Sequence, residues 1–300
     1  MTKASAEYGH GAHSIDTAAY ELAKPEELQH TLLTIFRAPS YRPPVLPSVA
    51  FELTELTRKS SISYDDVVSV LQKDPMIVAG VLKVAQSPLY GGRPVQSLKE
   101  AIQRLGINTL RDIVWQVVSG LRLFRAKGYT AIMERLQLHS MFTAYMARLI
   151  ATRARVAAEH AFLCGLLHDV GISGTFIALA ESEKQLPALG TLLAAVDGMH
   201  DQAGVRMAKL WGLSPEIAKI IEQHHTLDAD LDGAPALIAV ICVAEYFADE
   251  LGFGVLDEPE TSFDRYLPGR YERALGRLRL QAKTEELRRE AAELAVSLRG

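Results

Sequence analysis

The feature of this sequence that most constrains its fold is a long succession of short segments with helical apolar spacing, each bounded by a capping signal. Pro25, followed by two acidic residues, begins one segment, and the Asp74-Pro75 pair begins another. Gly106 ends a third segment. No strand-like alternation or hairpin dipeptide interrupts them, and the valine-rich stretch 238–243 continues at helical spacing through residue 251. The sequence therefore predicts an all-α protein.

Changes in composition divide the chain into four parts. Residues 1–24 are small and polar and indicate a flexible tail, in which His10 and His13 are read as solvated. Residues 25–128 form an N-terminal helical half, and residues 129–255 form a second helical half. Residues 256–300 are read as a loop and an amphipathic helix.

The amphipathic C-terminal stretch, residues 270–299, places Leu280, Leu287 and Leu294 at heptad spacing among alternating charges. So few heptads favour a helix that docks on its own domain. A homodimer seam, or a helix that lies in a groove of a partner, is the alternative.

Charge and cysteine content limit the cellular setting. The net charge is only -4, so general binding to nucleic acid or to anionic membranes is not expected. Cys164 and Cys242 lie in apolar helical runs, which indicates buried thiols in a reducing compartment. No apolar run is expected to approach the ~20 residues of a membrane span, and the N-terminus lacks a secretion pattern. A cytoplasmic location without membrane contact is therefore expected.

Histidines are concentrated in the second half of the chain. His168 and Asp169 end the apolar run 161–167, where burial of an uncompensated carboxylate would be costly and a cation would be an efficient remedy. His224 and His225 similarly end the helical run 215–223. Since adjacent residues on a helix cannot share a face, both pairs predict helix ends at one site.

Two further histidines, His139 and His200, lie near the beginning of helical runs that would complete a ligand shell. A single histidine is more often a core or surface residue than a ligand, and His160, at a helix start, is read as surface. Imidazole and carboxylate donors suit Fe, Mn, Zn, Co or Ni without selecting among them. The spacing predicts a buried metal site.

The order of these histidines resembles the HD superfamily of metal-dependent phosphohydrolases. The helical half before them resembles the HDOD family, the HD-related output domains of bacterial signalling, and the resemblance covers about residues 40–255. The motifs that carry it are Leu46-Pro47-Ser48-Val49, Asp74-Pro75, Ser87-Pro88 and Ala101-Ile102-Gln103-Arg104-Leu105-Gly106. The implied fold is a helical N-terminal HDOD subdomain packed against an HD-like helical subdomain.

The resemblance also implies a ligand set for one or two divalent transition-metal ions, Fe, Mn or Zn. His139, His168 and Asp169 would hold one ion, and Asp169 would bridge to a second. The second would be held by His200, His224 and His225. Glu245 stands where the superfamily has an aspartate that closes the first site. His168 and Asp169 would be the catalytic residues of an active enzyme.

Two departures bear on catalysis. HD-GYP phosphodiesterases follow the HD pair with Gly-Lys, whereas here Gly171 precedes Ile172, and they carry Gly-Tyr-Pro where this chain has Gly233-Ala234-Pro235. No lysine or arginine lies beside the HD pair to bind a phosphate. The cations on neighbouring helices, for which surface solvation is the default, are Arg148, Arg153, Arg155, Lys184, Arg206 and Lys209.

Two functions stay open, and whether the chain is an enzyme is undecided. The favoured hypothesis is a bacterial regulatory protein with a buried metal site, which acts by contact with another signalling protein or by sensing a ligand such as a nucleotide. The alternative is a metal-dependent phosphohydrolase or phosphodiesterase that acts on a nucleotide. A purely structural helical protein is hard to reconcile with the histidine spacing.

Overall fold

A computed structural model describes residues 24–59, 61–156, 160–182, 187, 189–225, 236–255 and 269–299. The predicted tail up to residue 23, Lys184, the motif at 233–235 and residues 256–268 of the predicted C-terminal part lie outside these residues. The all-α prediction is confirmed, since no strand occurs in the described ranges. The α-helices there are α1 (Pro25–Arg37), α2 (Ser48–Leu56), α3 (Tyr64–Leu71), α4 (Pro75–Ala85), α5 (Leu98–Leu105), α6 (Ile107–Arg122), α7 (Thr130–Ala154), α8 (Ala161–Leu167), α9 (Val170–Ser182), α10 (Leu189–Asp197), α11 (His200–Leu210), α12 (Pro215–Gln223), α13 (Ala236–Glu250), α14 (Arg270–Leu278) and α15 (Thr284–Arg299).

Side-chain caps delimit the short helices of the N-terminal half. The Ser63 hydroxyl accepts a hydrogen bond from the Asp66 amide, and the Asp66 carboxylate accepts one from the Ser63 amide, which completes a capping box at α3. Asp74 accepts from two amides at the start of α4, which begins with a proline. The helix α6 packs against α2, α4 and α5, and Trp115 at its centre is fully buried. These contacts bury one continuous apolar core.

The second half is built around the long helix α7. Helices α8 and α13 pack against α7, while α9 packs on α11 and α11 on α12. The N-terminal helix α1 lies against α10 and α11, where the Gln29 side chain donates to the carbonyl of Gly198 at 3.0 Å. Helix α1 therefore supports the region around the start of α11.

The apolar stretch Ala161–Glu181 corrects two expectations. The stretch is 21 residues long and its most apolar 18-residue window has a mean hydropathy of 1.6, so by length and composition alone it would suit a membrane span, contrary to the expectation that no run is this long. The stretch instead lies in the protein core, since 94% of its most apolar window is buried. It also contains α9, a helix that the sequence analysis did not predict. Cys164 and Cys242 are buried free thiols, as expected.

The C-terminal segment is two helices and not the single amphipathic helix expected. The chain breaks after α14, because Arg279 adopts a left-handed conformation with φ of 56°, and Leu280 lies in the connection. Leu287 and Leu294 are buried on α15, which packs against α7. The docking of this segment on its own chain agrees with the favoured interpretation of its heptad spacing.

Candidate metal centre

A two-residue break between α8 and α9 places the HD pair in the interior. Helix α8 ends at Leu167, His168 and Asp169 form the turn, and α9 begins at Val170. Both side chains are buried. The imidazole of His168 donates a hydrogen bond from Nδ1 to the carbonyl of Gly165 at 2.9 Å. In the neutral ring Nε2 is then unprotonated and can bind a metal ion.

A glycine allows the two halves of the centre to approach each other. A Cβ atom on Gly171 would lie 1.8 Å from the carbonyl oxygen of His200 and 2.7 Å from the amide nitrogen of Gly204. Only a residue without a side chain permits this contact between α9 and the first turns of α11. The contact brings His200 toward Asp169.

The first group of ligand atoms is formed by α7, the HD turn and α13. His139 donates from Nδ1 to the carbonyl of Phe253 at 3.1 Å, and its Nε2 lies 3.1 Å from Nε2 of His168. The Oδ2 atom of Asp169 lies 3.2 Å from Nε2 of His168 and 3.6 Å from Nε2 of His139. Glu245 closes this group, with Oε1 at 3.4 Å from Nε2 of His168.

The second group is formed by α11 and the end of α12. Oδ1 of Asp169 lies 3.2 Å from Nε2 of His224 and 3.7 Å from Nε2 of His200. The Nε2 atoms of His200 and His225 are 2.9 Å apart. In this group, as in the trio of His139, His168 and Asp169, the ligand atoms all lie within 4.8 Å of one another. Asp169 therefore presents one oxygen to each group.

The donor chemistry of these groups fits a metal ion. His139, His168 and His224 each place Nδ1 on a backbone carbonyl, so in the neutral rings each Nε2 carries a lone pair. The lone pairs of His139 and His168 face each other, and that of His224 faces a carboxylate oxygen. Such contacts are repulsive without a cation. Nitrogens that bind one ion at about 2.1 Å lie about 3.0–3.4 Å apart. The Nε2 atoms of His139 and His168, 3.1 Å apart, lie in this range.

The electrostatics of the buried cluster favour a neutral His224 and an ionised Asp169. Burial and the adjacent ring of His225 lower the pKa of His224 to about 3. Burial would raise the pKa of Asp169, but the facing imidazoles of His168 and His224 hold that pKa well below its ordinary value. Both are the protonation states that metal binding requires.

One charged residue of the centre was missed by the sequence analysis. Arg270, the first residue of α14, is buried, with its guanidinium 3.7 Å from Oε2 of Glu245. It also donates a hydrogen bond to the backbone carbonyl of His224. No signal in the sequence pointed to it, since Arg270 lies in a charge-rich stretch that reads as an exposed helix.

The cations considered as phosphate ligands lie elsewhere. Arg148 binds Asp112 at 3.0 Å, and Arg153 binds Glu286 at 3.3 Å. Lys209 lines a separate pocket with residues of α12. Arg206 lies near Tyr41, and Arg155 caps the end of α7 in a left-handed conformation. His160 is half-buried at the start of α8, outside the ligand groups.

Comparisons with known proteins agree with this fold. The family model of the HDOD domain matches residues 44–227. An HDOD domain protein of unknown function from Geobacter sulfurreducens is similar in structure, with a TM-score of 0.62 and 25% identity over 89% of this chain and 98% of that one. A protein of Shewanella amazonensis SB2B, provisionally classed as a metal-dependent phosphohydrolase, shares the fold at 19% identity, with a TM-score of 0.68 over 91% of this chain and 99% of that one.

The curated relatives that match are longer proteins. Ribonuclease Y of Mycoplasma mycoides is 27% identical over 155 residues, which are 50% of this chain and 31% of that protein. This chain thus spans about a third of that relative's length. The HDOD match covers more than half of the present chain, and the buried His/Asp centre lies within and just beyond it. The chain therefore belongs to the HDOD domain family.

Proposed function

We propose that this protein is a metal-dependent regulatory module in which the His/Asp centre is structural or sensing, and in which the output is contact with another signalling protein. The observation that carries the proposal is the burial of the centre. Six of its seven ligand residues are 3% exposed or less, and only His225 is half-buried. A metal centre that is buried to this degree is suited to stabilising the fold, or to sensing whether a metal or ligand is bound.

The centre would hold one or two ions of Mn, Fe or Zn. His139, His168, Glu245 and one oxygen of Asp169 would hold the first ion. The second would be held by His200, His224, His225 and the other oxygen of Asp169. When bound, the metal supplies positive charge that offsets the two carboxylates and the facing lone pairs. Since an unfolded chain lacks this arrangement, metal binding would stabilise the folded state.

The N-terminal half would supply the surface for the partner. Helices α4 and α6 of this half, together with α7 of the second half and the end of α15, line a cleft of about 1010 Å³, whose residues include the cations Lys83, Arg125 and Lys127 and the apolar Val117 and Met141. The cleft lies apart from the metal ligands, so it offers a second place for recognition. We favour a signalling protein or a nucleotide as the partner, and the cytoplasm as the location.

A second candidate function is hydrolysis of a phosphodiester. Two observations favour it: Asp169 divides its oxygens between two ligand groups, and Ribonuclease Y is a relative by sequence. Paired metal ions can activate phosphodiesters. Against it, Ile172, at the position of the phosphate-binding lysine of the phosphodiesterase relatives, is an apolar side chain buried in the core. A missing cationic contact of this kind lowers a rate by about a hundredfold or more.

Turnover assays separate the two functions. The protein would be loaded with Mn²⁺ or Fe²⁺ and tested on cyclic-di-GMP, a linear dinucleotide and single-stranded RNA, with His168→Ala as the control. We expect metal binding with absent or marginal turnover. Robust hydrolysis that disappears in His168→Ala would make the enzyme the primary function.

A further inference from the structure

We infer that Arg270 is a positioning residue that joins both ligand groups of the centre to the C-terminal helices, so that metal binding and the docking of α14 are coupled. The inference rests on the proposed metal binding. It concerns a residue outside the ligand set and outside the matched HDOD range of residues 44–227.

The contacts of Arg270 reach one ligand residue of each group. Its guanidinium lies 3.7 Å from Oε2 of Glu245, whose Oε1 faces His168 in the first group. The same guanidinium donates to the carbonyl of His224, whose ring belongs to the second group. The side chain is only 6% exposed, so these contacts are shielded from solvent. One buried guanidinium outside the ligand set therefore contacts both ligand groups.

The chemistry of arginine suits this position. A buried guanidinium requires fixed acceptors, and its planar fork can donate in two directions at once. Its contact with Oε2 leaves Oε1 of Glu245 directed toward His168, so the carboxylate is held with one oxygen toward the first group. Its contact with the carbonyl holds the turn after α12, from which His224 and His225 project. Supporting contacts of this kind commonly set metal affinity.

The helix that carries Arg270 is firmly docked beside the centre. Tyr271 stacks on Tyr246 of α13, with ring centroids 3.7 Å apart and planes at 19°. Leu275 and Leu278 are buried on the same helix. Helix α15 follows and packs on α7, and its Leu298 lines the cleft beside α4 and α6. If α14 shifts when Arg270 is replaced, the shift would therefore reach the N-terminal half through α15.

The test compares Arg270→Met with Arg273→Met, a matched change at an exposed position of the same helix. Mn²⁺ affinity would be measured by competition with a chromogenic chelator, and hydrogen exchange of residues 269–299 would be followed with and without Mn²⁺. We expect wild type and Arg273→Met to bind Mn²⁺ equally and to gain protection in that segment. Arg270→Met should bind about 10- to 100-fold more weakly and lose the metal-dependent protection.

The outcomes distinguish this inference from the proposed function. Failure of the wild-type protein to bind Mn²⁺, Fe²⁺ or Zn²⁺ would remove the metal proposal itself. Normal metal binding by wild type together with unchanged affinity and protection in Arg270→Met would show that the inference is wrong. If Arg270→Met does not fold, Arg270→Lys replaces it as the test variant. Lysine keeps the charge but lacks the two-directional fork, so a weaker Mn²⁺ affinity supports the inference and a wild-type affinity contradicts it.

Discussion

Asp169 is the residue on which the two ligand groups depend, because each of its oxygens faces a different set of imidazoles. Asp169→Ala should abolish metal binding and lower the melting temperature of metal-loaded protein, since facing imidazoles would lose their shared anion. Elemental analysis and thermal unfolding check this. His160→Ala, at a half-buried histidine outside the groups, is the control. Wild-type metal content and stability in Asp169→Ala would exclude the bridging role.

His224 gives the metal-free protein a defined pH dependence. Its pKa is lowered to about 3 in the folded state, against about 6.5 in an unfolded chain. Between these values the unfolded state binds one more proton at this residue, so the free energy of unfolding should fall as the pH falls, by about 1 kcal/mol per pH unit. The Asp169 contribution is lost only at lower pH, below about 3.9.

Urea unfolding of chelator-treated protein between about pH 7 and pH 4 measures this slope. His224→Gln should flatten it. Stability that stays constant or rises as the pH falls would contradict the burial of a neutral His224.

At the residue scale, the sequence predicted which ligand-type residues come together and missed the cation beside them. Histidine and aspartate at helix ends within apolar runs leave a recognisable pattern, because a buried polar group needs compensation. The spacing pointed to the five histidines and the aspartate of the two groups, and the family resemblance added Glu245, which the structure places beside His168. Arg270 carries no such pattern, since its contacts depend on how α14 packs on α13 and not on its neighbours in sequence.

At the element scale, the centre depends on the close contact between α9 and α11. Gly171→Ala would place a Cβ atom against the backbone of His200 and Gly204, which cannot move as a flexible side chain would. Such overpacking costs about 1–3 kcal/mol or more, and it should also weaken metal binding because His200 would shift. Chemical unfolding and metal titration check both effects.

Gly190→Ala is the matched control for this substitution. Gly190 also lies in a helix, but a Cβ atom there would meet nothing within 4 Å. Alanine at that position should be neutral or up to about 1 kcal/mol stabilising. Equal stability and metal affinity in the two variants would show that the α9–α11 contact is not needed.

The elements that the sequence misjudged have a common physical cause. Helix α9 is buried along most of its length, so its apolar residues show no one-sided pattern by which its limits could be recognised. The break between α14 and α15 occurs at Arg279, where a non-glycine residue adopts a positive φ and no glycine or proline marks the turn. Tertiary packing decides such positions, whereas the capped helices α3 and α4 follow from local residues.

At the scale of the whole molecule, an ion pair joins the N-terminal half to the helix that carries His139. Asp112 of α6 is buried and accepts from Arg148 of α7 at 3.0 Å, with Arg111 alongside at 3.3 Å. Arg148→Met should lower the free energy of unfolding by about 1–2 kcal/mol, a value that allows for its 31% exposure. Arg153→Met, which removes a more exposed pair on the same helix, should destabilise the protein less than Arg148→Met does.

Urea unfolding followed by both far-UV and tryptophan signals would measure these changes. Coincident transitions would indicate that the two halves unfold together. Equal destabilisation by the two variants would mean that the Asp112–Arg148 pair does not stabilise the junction.

Metal content of the purified protein tests the central claim most directly. Protein prepared without chelators should contain one or two transition-metal ions per chain by elemental analysis, because the facing donors of the buried centre require a cation. Metal-free protein that also fails to take up Mn²⁺, Fe²⁺ or Zn²⁺ would contradict the account.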